Sequence, residues 1–121
     1  MTPENRKRPL GLKRETSDMI LEIAQLPVMA GEESAFEAAF DEAQKIIAAQ
    51  PGYRSHELVR GADAGNGSQY VLLVRWDSVA AHDPGFRQSA GYQQWRALLH
   101  RFYEPGIAVA HFATVCGALR D

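Results

Sequence analysis

Apolar positions along the chain switch between a two-residue and a three-to-four-residue rhythm, and each switch marks an element. Met19 to Leu26 (MILEIAQL) reads as a strand ended by Pro27. Between Gly31 and Gln50, Phe36, Ala39, Phe40, Ala43, Ile46 and Ile47 recur at helical spacing, which predicts an amphipathic helix. Its acids crowd the first half (Glu32, Glu33, Glu37, Asp41, Glu42), where the positive end of a helix favours them, and Pro51-Gly52 stops it. Tyr53 to Arg60 is a second strand and Gln69 to Trp76, the most apolar run, a third. The glycine-rich stretch Gly61 to Ser68 joins them as a hairpin loop. Asp77 to His82 is expected to form a short helical turn, interrupted by Pro84-Gly85. Ser89 to Tyr103 carries Tyr92, Trp95, Leu98, Leu99 and Phe102 on one stripe and reads as a second long helix, stopped by Pro105-Gly106. Ile107 to Cys116 is the last strand.

The order β-α-β-β-α-β is that of a ferredoxin-like α+β sandwich, with four antiparallel strands carrying two helices on one face. The other face should alternate with polar residues if water covers it. It does not. Val71 and Leu73 flank Arg75 on one side of the third strand, and Ala108, Ala110 and Phe112 share one side of the last. An apolar sheet face of this kind predicts a second copy packed on it, hence a two-fold homodimer.

Composition narrows the reading. With 121 residues, 45% hydrophobic and 23% charged, the chain is the size and mixture of one ordinary globular domain. A formal charge of -2 gives no general attraction to nucleic acid or membrane, and no apolar run approaches the roughly 18 residues of a membrane helix. The single cysteine, Cys116, forms no internal bridge and is expected to be a small buried hydrophobe; a reducing cytoplasm is the default. Residues 1–18 stand apart. Arg6, Lys7, Arg8, Lys13 and Arg14 outnumber Glu4, Glu15 and Asp18, and few large apolar side chains accompany them. This stretch is expected to be a basic flexible leader without the apolar run of a secretory signal. Residues 19–121 form the domain, and Met19 is a possible alternative start of translation.

Phosphate-binding glycine motifs, C-x-x-C pairs and H-E-x-x-H are all missing, and the four histidines are spread out, so no metal site is expected. Trp76, Phe86, Tyr92, Trp95 and Phe102 could line a pocket between sheet and helices that accepts a flat aromatic molecule. His82, after the short turn, is the first candidate for moving a proton near neutral pH, and His56 on the second strand the next. His111 reads as a core or interface histidine and His100 as a solvated one. Arg75, a cation in an apolar strand, needs a carboxylate such as Glu22 or Glu57, or a ligand oxygen.

Three stretches resemble the antibiotic biosynthesis monooxygenase (ABM) family: MILEIAQLPVMAGEESAFEAAF, PGYRSHELVRG, and VRWDSVAAHDPGFRQSAGYQQWRALLHRFYEPGIAVAHF, with its Trp-Asp-Ser start, its His82 and its Phe-x-x-Ser. The resemblance implies a dimeric α/β barrel built from two ferredoxin-like subunits. It also implies a range of activities. Some members oxidise aromatic polyketides with dioxygen and no metal or flavin, some act on quinols, and some degrade haem. The haem-degrading pattern is not matched: no Asn lies in Glu22–Gln25, Phe86 stands where a Trp would, and Arg96 where a His would. The expectation is a cofactor-independent monooxygenase, with dioxygen as co-substrate, acting on an aromatic, phenolic or quinol-like molecule. The alternative is a non-catalytic small-molecule-binding or structural dimer on the same fold.

Overall fold

A computed structural model of the protein describes residues 19–118; the leader expected at 1–18 lies outside them. The elements are β1 (Ile20–Pro27), α1 (Glu33–Ala48), β2 (Tyr53–Arg60), β3 (Gln69–Trp76), a wide one-turn segment (Ala81–Gly85), a 3₁₀ turn (Phe86–Gln88), α2 (Ala90–Leu99), a second 3₁₀ turn (His100–Phe102) and β4 (Ala108–Ala113). The sheet order is β2-β3-β1-β4 with every neighbour antiparallel. This is the ferredoxin-like α+β arrangement expected from the element order.

Three elements differ from their sequence reading. The second helix ends at Leu99 and tightens into a 3₁₀ turn, rather than running to Tyr103. The last strand stops at Ala113, because Ala113 pairs with Ile20, the first residue of β1, and no described strand continues the ladder. Cys116 therefore lies beyond the sheet and is exposed, not buried. The turn after β3 is helical only in part, since Asp83 sits in extended backbone (φ -136°, ψ 108°) at its middle.

Strand parity sorts the side chains. Glu22, Ala24 and Leu26 of β1 and Tyr70, Leu72, Val74 and Trp76 of β3 point to the helices and are buried. They meet Phe36, Phe40, Ala43 and Ile47 of α1, and Trp95 and Leu99 of α2. Ser89 starts α2 by accepting the Tyr92 N–H at 3.1 Å. The opposite face shows Leu21, Ile23, Val59, Val71, Leu73, Ala108, Ala110 and Phe112, and Phe112 is 50% exposed. Arg75 is on this outer face, opposite Leu21 and Ser55, so Glu22 points away from it and cannot be its counter-ion.

Gly52 ties the α1–β2 turn to the segment carrying His82. Its φ is +82°, and a Cβ there would come within 2.5 Å of the Ala81 Cβ. Its carbonyl accepts the Asp77 N–H at 2.8 Å. Gly52→Ala is expected to lose at least ~1–2 kcal/mol through left-handed backbone strain, with a further cost from pushing Ala81 aside. A urea midpoint equal to that of the unsubstituted protein would contradict this packing.

Candidate functional site

The two helices cover β1 and β3 more fully than β4. Ile107 and Val109 remain 39% and 40% exposed on the helix side of the sheet. Beside them lies a cavity of about 60 Å³, walled by Ala24, Leu26 and Leu72 of the sheet, Ile47 of α1, and Phe86, Tyr92 and Trp95. Polar groups mark its two ends. Tyr103 stands near the Leu26 end, because it bridges to Val28. Burial pushes its hydroxyl pKa well up, so it stays protonated. Glu22 and His82 stand at the other end.

Glu22 reaches the cavity because it shares the inward parity of Ala24 and Leu26. Its Oε1 accepts the Trp76 Nε1–H at 2.9 Å and lies 3.5 Å from His82 Nε2. His82 Nδ1 is 2.8 Å from Nε2 of His111, the residue directly across from Glu22 on β4. The Trp76 ring stacks on the His82 imidazole, with centroids 5.5 Å apart at 27°. The turn holding His82 is pinned by the Ala81 N–H, which donates to Ser78 Oγ at 3.1 Å. Phe86 packs edge-on against Tyr92 and Trp95, with centroids 5.2 and 5.6 Å away. The Arg87 guanidinium rests over the Tyr92 ring at 5.6 Å.

The electrostatics follow from burial. His82 is 4% exposed, and loss of water holds its pKa down to about 4; His111 and Arg87 add to the drop and Asp83 opposes it. At neutral pH it is an uncharged imidazole able to accept a proton. Burial raises the Glu22 pKa above the usual carboxylate value, against the pull of the Trp76 hydrogen bond and the Arg87 charge. Glu22, His82 and His111 stand in file rather than around one point, and among the described residues no group of three or more His, Cys, Asp or Glu is placed to hold a metal.

Of the residues singled out from sequence, His82, Phe86, Tyr92 and Trp95 line this cavity. Trp76 lies behind it as the Glu22 donor. Phe102 packs on Phe36, away from the lining. His56 is elsewhere: Tyr53 Oη lies 2.6 Å from its Nδ1, and Gln44 Oε1 2.9 Å from its Nε2, so both ring nitrogens are taken by structural partners. Glu22, Arg87, His100, Tyr103, Ile107 and Val109 also line the cavity and were not anticipated there. For Glu22 the sequence held part of a signal, an acid inside an apolar strand, but not the direction in which it points. A broader depression of about 390 Å³, lined by Gln50, Pro51, Gly52, Asp77, Ser78, Ala81, Gly85, Phe86 and Ser89, lies open on the surface and contains no paired acid and base.

The two shifted groups make opposite demands on stability. His82 binds its proton more weakly when folded, so the stability its neutral form carries above pH 6.5 is lost as pH falls toward about 4. Glu22, with a raised folded value, contributes most below pH 4.5 and loses that contribution as pH rises through its folded pKa. Denaturant titrations of the protein and of His82→Gln are expected to converge between pH 6.5 and 4 by up to roughly 3 kcal/mol. A constant difference over that range would mean that His82 is not held neutral.

A model of the family "Antibiotic biosynthesis monooxygenase" matches residues 19–98. The uncharacterized protein YczJ of Bacillus subtilis (strain 168) is 43% identical over 97 residues, covering 80% of this chain and all of that protein. A Bordetella bronchiseptica crystal structure, provisionally described as an antibiotic biosynthesis monooxygenase, superimposes with a TM-score of 0.76 at 33% identity, over 82% of this chain and 99% of the other. SnoaB, a cofactor-independent oxygenase from Streptomyces nogalater, shares the fold with a TM-score of 0.69 at 21% identity, over 86% and 99% of the two chains. With a family model spanning most of its domain and a close bacterial relative covered from end to end, the chain belongs to the antibiotic biosynthesis monooxygenase family.

Proposed function

We propose that the protein is a cofactor-independent monooxygenase that uses dioxygen to oxidise an aromatic, phenolic or quinol-like molecule in the cavity beside β4. The observation that carries this reading is a buried, uncharged imidazole, His82, at the polar end of an aromatic-walled cavity. Dioxygen reacts readily with an electron-rich carbanion or phenolate, and a neutral base makes that anion by taking a proton. The anion gives an electron to dioxygen, and the two fragments recombine. A ring CH₂ then becomes C=O, with one oxygen atom in the product and the other leaving as water with the two hydrogens. Phe86, Tyr92 and Trp95 supply flat apolar walls, and Arg87 in the lining supplies a positive charge for the anion. The existence of a cofactor-independent oxygenase of the same fold supports the reading by analogy.

The subunits are proposed to pair through the outer sheet face, where Leu21, Ile23, Val71, Leu73, Ala110 and Phe112 leave apolar surface that no other described residue covers. Two such sheets face to face make an α/β barrel. Sedimentation equilibrium is expected to give twice the 13.4 kDa chain mass, and Phe112→Asp to shift the protein toward single subunits. A single-subunit mass at all loadings would contradict the pairing.

One observation favours the alternative of a structural dimer that binds no ligand. A cavity of about 60 Å³ holds roughly two water molecules, whereas small-molecule sites span roughly 300–1,000 Å³. Catalysis therefore requires lining side chains, such as Arg87 and Tyr92, to move aside and admit the ring. Oxygen uptake with a panel of anthrones, naphthols and hydroquinones separates the two readings. The enzyme reading expects one dioxygen consumed per substrate, with kcat about 10²–10⁴-fold lower in His82→Ala and KM little changed. Absence of uptake across the panel, or turnover unaltered in His82→Ala, would overturn it.

A further inference from the structure

We propose that His111 is the proton exit of this site: it takes from His82 the proton that His82 removes from the substrate, and releases it to water. The inference rests on the oxygenase reading above and adds to it a residue on a different strand, outside the cavity lining.

The geometry is specific. His82 has two ring nitrogens and each has a different neighbour: Nε2 faces Glu22 Oε1 across 3.5 Å, at the cavity, and Nδ1 meets His111 Nε2 at 2.8 Å. The second contact is a full hydrogen bond and the first is too long for one. Nδ1 is committed to His111, so the incoming O–H or C–H is assigned to Nε2, the nitrogen without a full hydrogen bond. In the tautomer with a proton on Nδ1, His82 donates to His111 and presents a bare Nε2 to the cavity. When Nε2 takes the substrate proton, the Nδ1–H passes to His111 Nε2 and the bond between the imidazoles reverses direction. His111 is then doubly protonated and loses its Nδ1–H to water. One proton enters, one leaves, and no charge stays on His82.

The physical need for such an exit comes from burial. A positive His82 would be stranded against Trp76 and Phe86 with little water. The charged and titratable groups facing it are Glu22 from β1, His111 from β4, Asp83 from its own one-turn segment and Arg87 from the 3₁₀ turn that follows; β3 contributes only the Trp76 ring. His111 is half-buried on an edge strand, so a positive charge there is hydrated. It also points to the helix side of the sheet, so a partner packed on the outer face leaves it accessible.

The test uses the full chain labelled with ¹⁵N-histidine, and its His111→Gln variant, which keeps a side-chain N–H donor but carries no proton onward. In the unsubstituted protein the His82 Nδ1 and His111 Nε2 signals are expected to move together on acidification, and in His111→Gln the His82 signals are expected to lose that step. On any substrate the protein oxidises, His111→Gln is expected to lower kcat about 10-fold or more with KM unchanged, and imidazole in the buffer to restore part of the rate. Histidine signals that titrate independently, or a His111→Gln variant with full kcat, would overturn the proposal. If the protein oxidises nothing while the two imidazoles titrate as one unit, the oxygenase reading fails and the proton link stands.

Discussion

Everything about the site follows from placing one carboxylate on the wrong side of a sheet. Glu22 occupies an inward position between residues that build the apolar core, where a bare charge costs several kcal/mol. The surroundings reduce that cost without removing it. The Trp76 indole donates to the carboxylate, Arg87 lends a positive field, and His82 stands beside it without being charged. Such a cluster does little for folding that three apolar side chains would not do better. Its consequence is chemical: an acid with a raised pKa and a base with a lowered one share the end of one cavity.

The same sheet has two apolar sides with different fates. The inner side is closed by α1 and α2 except along β4, and the cavity opens there. The outer side has no cover among the described residues. Pairing two outer faces would stiffen the strands that fix Glu22, Trp76 and His111, while leaving the β4 opening free for a ligand. The polar end and the Arg87–Tyr92 wall are built on different elements. Trp76 and Glu22 sit in paired strands, whereas Arg87 and Tyr92 sit on a short turn and the first turn of a ten-residue helix.

Much of this was legible in the amino-acid order. The Phe36 to Ile47 stripe marks the face of α1 that covers the sheet, but MILEIAQL and QYVLLVRW are apolar on both faces and leave open which of them meets the helices. Tyr92 and Trp95 of the aromatic lining were legible from the stripe of the second helix, whereas Phe86 lies in the 3₁₀ turn before it. What the pattern lacks is pairing register. Arg75 and Glu22 look like ion-pair partners until β1 and β3 are aligned and the two turn out to face opposite ways. His56 shares the inward direction, but β2 lies two strands from β1, on the far side of the sheet from the cavity. His82 and His111 are 29 residues apart and meet only because β4 pairs with β1 directly opposite Glu22. The size of the cavity depends on rotamers at its mouth and has no trace in the sequence.

The most direct measurement is a crystal structure of the protein grown without oxygen in the presence of a hydroquinone or anthrone. The expected result is the ring between Phe86, Trp95 and Leu72, with Arg87 and Tyr92 swung outward and one ligand oxygen or acidic carbon within reach of His82 Nε2. A cavity still closed at about 60 Å³, with the ligand absent or lodged in the open depression beside Gly52, would contradict the account.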